Sequence, residues 1–264
     1  MRFFNCVLTA LLSGTIFASA FAAEAAPAKP AAAKKAVRKK AKPTLEQDIA
    51  AASTPARSVP KALAKRFAAK KAYAEKHGKE VKILMLGDSI THYWDGRGAK
   101  AMRAKYLEPY KYFNLGFAGD RTRNTLYIIE KSGILDMLKP QLVTIMIGTN
   151  NSGRYDYRAT VAAIKKILDG VSTRYPDAVI LLYSIFPRGK DATDLKRIEN
   201  QKVNAEIAKF CDGKKIIWVD IFKNFLTPEG TLEKSVMYDW LHPSAKGYDI
   251  WGKSLQPYFE KYGK

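Results

Sequence analysis

Cysteine is almost missing: the 264 residues hold two, Cys6 and Cys211. Cys6 falls in an N-terminal stretch expected to be removed, so the mature chain has no partner for an intramolecular disulfide and must draw its stability from packing. Histidine is scarce as well, with His77, His92 and His242 alone. No His, Cys and Asp group has the spacing of a metal site, and neither a metal nor an organic cofactor is expected. Beyond the N-terminal leader no apolar run approaches the ~20 residues of a spanning helix. There is also no Gly-x-Ser-x-Gly element, which disfavours the α/β-hydrolase type of serine enzyme.

What is present begins with Met1-Arg2, an apolar stretch from Phe3 to Phe17, and the small-residue pattern Ala20-Phe21-Ala22. This reads as a secretory signal peptide over residues 1–22, the run being too short for a membrane anchor, so a periplasmic or secreted protein is expected. From Ala23 to about Lys42 the composition narrows to Ala, Pro, Lys and Arg, which cannot bury enough apolar surface to offset chain entropy. A disordered basic linker is expected over residues 23–60, ahead of one folded domain over 61–264. Residues 23–80 carry 15 Lys+Arg against 5 Asp+Glu, half of the net charge of +20. Such a tail is either an electrostatic tether to anionic envelope polymers or a solubilising spacer. Nucleic acid is not an expected partner, because no recognition motif accompanies the charge.

Four apolar runs have strand length, Val81 to Leu86, Leu142 to Ile147, Ala178 to Tyr183 and Ile216 to Val219, with a shorter one at Tyr112 to Leu115. Being apolar on both faces, they suit a parallel sheet covered on both sides. Between them lie helical patterns at Lys61 to His77, Gly98 to Tyr106, Arg121 to Ser132, Arg158 to Arg174, Ala192 to Cys211 and Ala245 to Tyr262. Val161, Ile164, Ile167, Leu168 and Val171 make a buried stripe at helical spacing. The alternation predicts an α/β fold: a three-layer α/β/α sandwich around a central sheet of five parallel strands, with reactive groups at the strands' carboxyl ends.

The first strand ends in Gly87-Asp88-Ser89-Ile90, which presents Ser89 where such a sheet displays its chemistry; the bland alternative is a strand-to-helix turn capped by Ser89. Near the C-terminus Asp239-Trp240-Leu241-His242-Pro243 sets a carboxylate and an imidazole three residues apart, able to share one side of a helical turn. A nucleophilic serine needs a base, and the base needs an orienting carboxylate. His92, close in sequence to Ser89, is the competing base. Acyl transfer further needs donors for an oxyanion. Two strand ends offer them, at Asn114-Leu115-Gly116-Phe117-Ala118-Gly119-Asp120 and at Gly148-Thr149-Asn150-Asn151, although each could be merely a turn rich in Gly and Asn. Tyr93, Trp94, Tyr155 and Trp240 could line a sugar or acyl pocket, or could be packing.

Taken in order, these four segments resemble the blocks of the SGNH (GDSL-type) hydrolases, here Ser89, Gly119, Asn150 and His242. The stretch from about Arg66 onward is most similar to the catalytic-subunit branch of the platelet-activating factor acetylhydrolases and its bacterial relatives, through Asn114 to Leu126, Leu138-Lys139-Pro140, Gly148 to Asn151 and Phe186-Pro187-Arg188-Gly189. The resemblance implies a flavodoxin-like SGNH hydrolase fold. It also implies a Ser89, Asp239, His242 triad, an oxyanion hole of Ser89, Gly119 and Asn150, and a shallow site suited to small acyl esters. Ile90 stands where the GDSL motif has leucine, an apolar exchange without chemical consequence. The leader and linker are foreign to the intracellular enzymes, so their lipid substrate is not carried over. Acetylated carbohydrate is the expected ester, a lipid-directed esterase or lysophospholipase the runner-up. A non-catalytic envelope or glycan-binding protein is the third reading.

Overall fold

The apolar runs become β1 (Ile83–Gly87), β2 (Tyr112–Gly116), β3 (Leu142–Met146), β4 (Val179–Tyr183) and β5 (Ile216–Val219). In the computed structural model, which describes residues 42–264, they form one sheet in the order β2-β1-β3-β4-β5, every neighbouring pair parallel. Successive side chains alternate between two cores, as the period of a strand requires. Leu84, Leu86, Val143, Ile145, Ile180 and Leu182 enter one, and Ile83, Met85, Leu142, Met146, Leu181 and Tyr183 the other.

Eight helices accompany the sheet among the described residues: α1 (Leu45–Ser53), α2 (Ala64–His77), α3 (Ser89–His92), α4 (Lys100–Tyr106), α5 (Thr122–Glu130), α6 (Tyr157–Arg174), α7 (Leu195–Ile207) and α8 (Ala245–Tyr262). The first core is closed by α2, α5, α6 and α7, and the second by α4 and α8. On α6 the anticipated stripe is buried at Ile164, Ile167, Leu168 and Val171, with Val161 half-buried. The result is the expected three-layer sandwich. From β1 the chain moves outward to β2 and then crosses to β3 on the other side, which opens a crevice above the carboxyl ends of β1 and β3. None of these helices is long and apolar enough to cross a membrane.

The expected linker to residue 60 is corrected by α1. The signal-peptide reading and residues 23–41 lie outside the described residues, but residues 45–53 are helical. Thr44 Oγ1 accepts from the Gln47 amide at 3.3 Å, and Gln47 Oε1 accepts from the Thr44 amide at 2.9 Å. This reciprocal box satisfies two otherwise orphaned donors at the helix start. Ala52 is fully buried against Ala159 and Ala163 of α6. Small side chains let the helices approach closely, so the alanine richness that looked like low complexity is, from residue 45, a packing face. Cys211 is half-buried, and burial followed by the charge of Asp212 pushes its thiol up to about 11, away from thiolate chemistry.

Candidate active site

β1 runs straight into α3. A Cβ on Gly87 would lie 2.1 Å from Thr91 Oγ1 and 2.5 Å from the Met146 carbonyl, so close packing, rather than an unusual dihedral, demands glycine there. Asp88 is the N-cap, its Oδ1 accepting from the Ile90 amide at 3.0 Å. Ser89 is therefore the first residue of a helix at the crevice. Asp88 is wholly buried, and its Oδ2 has no partner among the described residues. Burial pushes that carboxyl up to about 7 despite the Ile90 bond and the nearby Arg188.

The Asp239–His242 segment is not helical. Trp240 has φ 58°, the one non-glycine residue with positive φ among those described, and its amide donates to the Met237 carbonyl at 2.9 Å. This tight turn brings His242 to Ser89 and Asp239 to His242. His242 Nε2 lies 2.9 Å from Ser89 Oγ, and His242 Nδ1 lies 2.6 Å from Asp239 Oδ2. The other carboxylate oxygen accepts from the His242 and Leu241 amides at 2.7 and 3.1 Å. Burial alone would raise the Asp239 carboxyl, but its bonds to the His242 side chain and backbone outweigh this and hold it below the usual carboxylate range. From outside, the Gly189 amide donates to the Trp240 carbonyl at 2.9 Å. Buried Arg197 in turn binds the carbonyls of Arg188, Gly189 and Gly230 at 2.6, 2.5 and 2.8 Å.

Gly119 and Asn150 follow β2 and β3, the strands flanking β1. Gly119 has φ 78° and open space where a side chain would project. Asn150 Nδ2 donates to the Asp120 carbonyl at 2.9 Å, which ties the two loops together and leaves its second N–H free. The amides of Ser89 and Gly119 have no acceptor among the described residues. His92, the competing base, is turned elsewhere: its Nδ1 accepts from the Ala118 amide at 3.1 Å. Burial, with help from Arg66, depresses its pKa to about 4, so it is a neutral support for the loop carrying Gly119.

Of the four aromatic candidates, Trp94 is core, fully buried against Tyr248 and Trp251. Tyr155 packs beside Ala52 and accepts from Arg121. Tyr93 does reach the site, its ring centroid 5.1 Å from that of His242, and Trp240 is half-buried under the Lys234 ammonium. One aromatic at the site was not foreseen. Tyr238, 52% exposed, stacks near-parallel on His242 at 5.9 Å. Its only signal was adjacency to Asp239. Arg188 was noticed solely as part of a resemblance; its Nη1 binds the Thr149 carbonyl and hydroxyl at 3.1 and 3.2 Å, bracing the loop before Asn150.

Among the described residues no three His, Cys, Asp or Glu side chains are grouped so as to hold a metal ion. The arrangement can do one kind of chemistry directly: activate a hydroxyl and receive negative charge at backbone and amide donors. A model of the GDSL-like lipase/acylhydrolase family matches residues 85–250. Over 176 residues the chain is 30% identical to platelet-activating factor acetylhydrolase IB subunit alpha1 of Homo sapiens, a span of 66% of this chain and 74% of that protein. The alpha2 subunit of Rattus norvegicus is 29% identical over 172 residues, 64% of this chain and 72% of the relative. A solved GDSL-like lipase from Bacteroides thetaiotaomicron superposes with a TM-score of 0.59 at 24% identity, over 74% of this chain and 98% of the other. An acetyl xylan esterase superposes with a TM-score of 0.57 at 18% identity, over 67% and 99%. At those identities the two structures speak for the fold.

Proposed function

Because the chain belongs to the GDSL-like lipase/acylhydrolase family and is a carboxylic ester hydrolase, we propose that it is exported and removes small acyl groups, acetyl foremost, from carbohydrate, with Ser89 as nucleophile, His242 as base and Asp239 as orienting carboxylate. The observation that carries the reading is the unbroken chain from Ser89 Oγ to His242 Nε2 at 2.9 Å and from His242 Nδ1 to Asp239 Oδ2 at 2.6 Å.

An ionised Asp239 can only accept, so the short bond keeps the imidazole proton on Nδ1 and leaves the Nε2 lone pair facing the serine hydroxyl. Nε2 takes the hydroxyl proton as Oγ adds to the ester carbonyl carbon. The negative charge that develops on the carbonyl oxygen is received by the amides of Ser89 and Gly119 and by the free N–H of Asn150 Nδ2. Collapse of the adduct expels the alcohol, which takes its proton from Nε2. Water then repeats the sequence on the acyl-serine and frees the acid.

A small acyl group is supported by the name of the relatives, acetylhydrolases. Carbohydrate is supported by the leader-like residues 1–22, which would direct the enzyme to a compartment of glycans, and by the exposure of Asp239 and Tyr238. The basic residues of 23–41 would hold it electrostatically near anionic envelope polymers. The test is an activity profile of the mature protein on acetylated oligosaccharides, p-nitrophenyl esters of increasing chain length, and lysophospholipid. Release of acetate from sugar esters that is lost in a folded Ser89→Ala variant is the expected result. Preference for long-chain lipid would replace the carbohydrate reading, and undiminished turnover by Ser89→Ala would remove the nucleophile assignment.

A further inference from the structure

Helix α1 lies outside the residues that match the family model, yet it is wired to the loops that carry the proposed oxyanion donors. Thr122, the first residue of α5, is fully buried, and its Oγ1 donates to the Ala52 carbonyl at the end of α1 at 3.0 Å. The same hydroxyl accepts from Asn151 Nδ2 at 2.8 Å, while Asn151 Oδ1 accepts from the Thr122 amide at 3.2 Å. Asn151, also fully buried, is the neighbour of Asn150, and Thr122 stands two residues after Asp120, whose carbonyl receives Asn150 Nδ2 at 2.9 Å. Three segments, the end of α1, the Gly119 loop leading into α5 and the Asn150 loop, are thus joined through one hydroxyl. Further bonds fix α1 in place: the Ala56 amide reaches the Arg123 carbonyl at 2.9 Å, and Asp48 Oδ2 accepts from the Asp156 amide at 2.8 Å.

We infer that α1 is a positioning element of the active site: through Thr122 and Asn151 it holds Asn150 and the Gly119 loop where the oxyanion forms. The inference rests on the reading of Gly119 and Asn150 as oxyanion donors. Such donors act because they are fixed before the charge develops, and a displacement of about 1 Å can cost about a hundredfold in rate. A hydroxyl that must bond Ala52 and Asn151 at once leaves the two loops a single arrangement. α1 can leave without opening either main core, since its contacts through Ala52 form a separate small cluster with Ala159 and Ala163. The site therefore depends on a segment that the sheet does not.

The experiment is steady-state kinetics on a soluble acetyl ester with the full chain. Thr122→Val keeps the shape and removes the hydroxyl; kcat should fall about tenfold with KM within about twofold, and Thr122→Ser should restore it. In an Asn150→Ala background the same Thr122→Val change should have little further effect on kcat, because the group being positioned is gone. Ala52→Glu, which pushes α1 from α6, should reproduce the kcat loss and serves if Thr122→Val does not fold. A folded Thr122→Val or Ala52→Glu enzyme with parental kcat, changed only in melting temperature, overturns the inference, as does an equal kcat loss with and without Asn150. Asn150→Ala assayed against the parent separates the two levels: if it keeps parental kcat the oxyanion donor is misread, and if it loses kcat a null result at Thr122 falls on α1 alone.

Discussion

Raising the pH should weaken this fold through two buried carboxyls. Asp88 and Asp120 are both buried beside the site. Burial, opposed by the Ile90 bond and by Arg188, leaves Asp88 at about 7. Burial and the neighbouring Asp88, opposed by Arg121, bring Asp120 to about 8. An unfolded chain releases these protons near pH 3.9. Between about pH 4 and pH 8 the folded state therefore holds protons that the unfolded state has lost, so stability is greatest below that window and falls as pH rises through it. For Asp88 alone a gap of about three units corresponds to roughly 4 kcal/mol. Asp88→Asn keeps the acceptor for the Ile90 amide and removes the titration, and neither the protonated acid nor the amide has a partner at the second position. Parent and variant should then match near pH 4.5, whereas near pH 8.5 the variant should melt higher by on the order of 10 °C, taking about 2–4 °C per kcal/mol for a domain of this size. Thermal melts of both proteins across that range decide it. A gap between parent and variant that does not change with pH would refute the placement of an unpaired carboxyl at residue 88.

Asp239→Asn should leave the nucleophile and donors in place but lose the group that sets the imidazole tautomer, lowering kcat by about 10⁴-fold with little change in KM; a loss confined to KM would mean Asp239 serves binding instead. The two histidines should separate cleanly. His242→Ala should be nearly inactive, while His92→Ala, which loses the bond to the Ala118 amide and the ring contact with Tyr93, should keep measurable turnover; the reverse ranking on the same ester would make His92 the base. Trp94→Ala should cost about 3–5 kcal/mol of stability, because it empties a ring packed against Tyr248 and Trp251, and a melting temperature within about 2 °C of the parent would contradict that packing.

Local chemistry carried much of this protein. Apolar runs of strand length announced every strand within two residues, since a parallel strand covered on both faces admits few polar side chains. Ala245 to Tyr262 was legible to the residue because Ser244 caps one end and Gly263 closes the other. Ser89, Gly119, Asn150 and His242 were legible as strand-end and turn motifs, because such positions call for residue types that stand out. The α1 helix was missed for a related reason: a Thr-x-x-Gln box and a few alanines are local signals too faint to stand against the basic composition just before them.

What the sequence determined by itself was the alternation of elements and therefore the layers, together with which residues stand at strand ends. Only the tertiary structure decided what those residues touch. The strand order β2-β1-β3 sets the loops of Gly119 and Asn150 on either side of Ser89, although the three are far apart in the chain. The positive φ of Trp240 turns Asp239 and His242 toward Ser89, where a helical turn had been expected. The Ala118 amide claims His92 Nδ1, and the Ala52 carbonyl claims the Thr122 hydroxyl. Partners like these are chosen by distance in the folded chain, and distance across a sheet has no counterpart in spacing along the sequence.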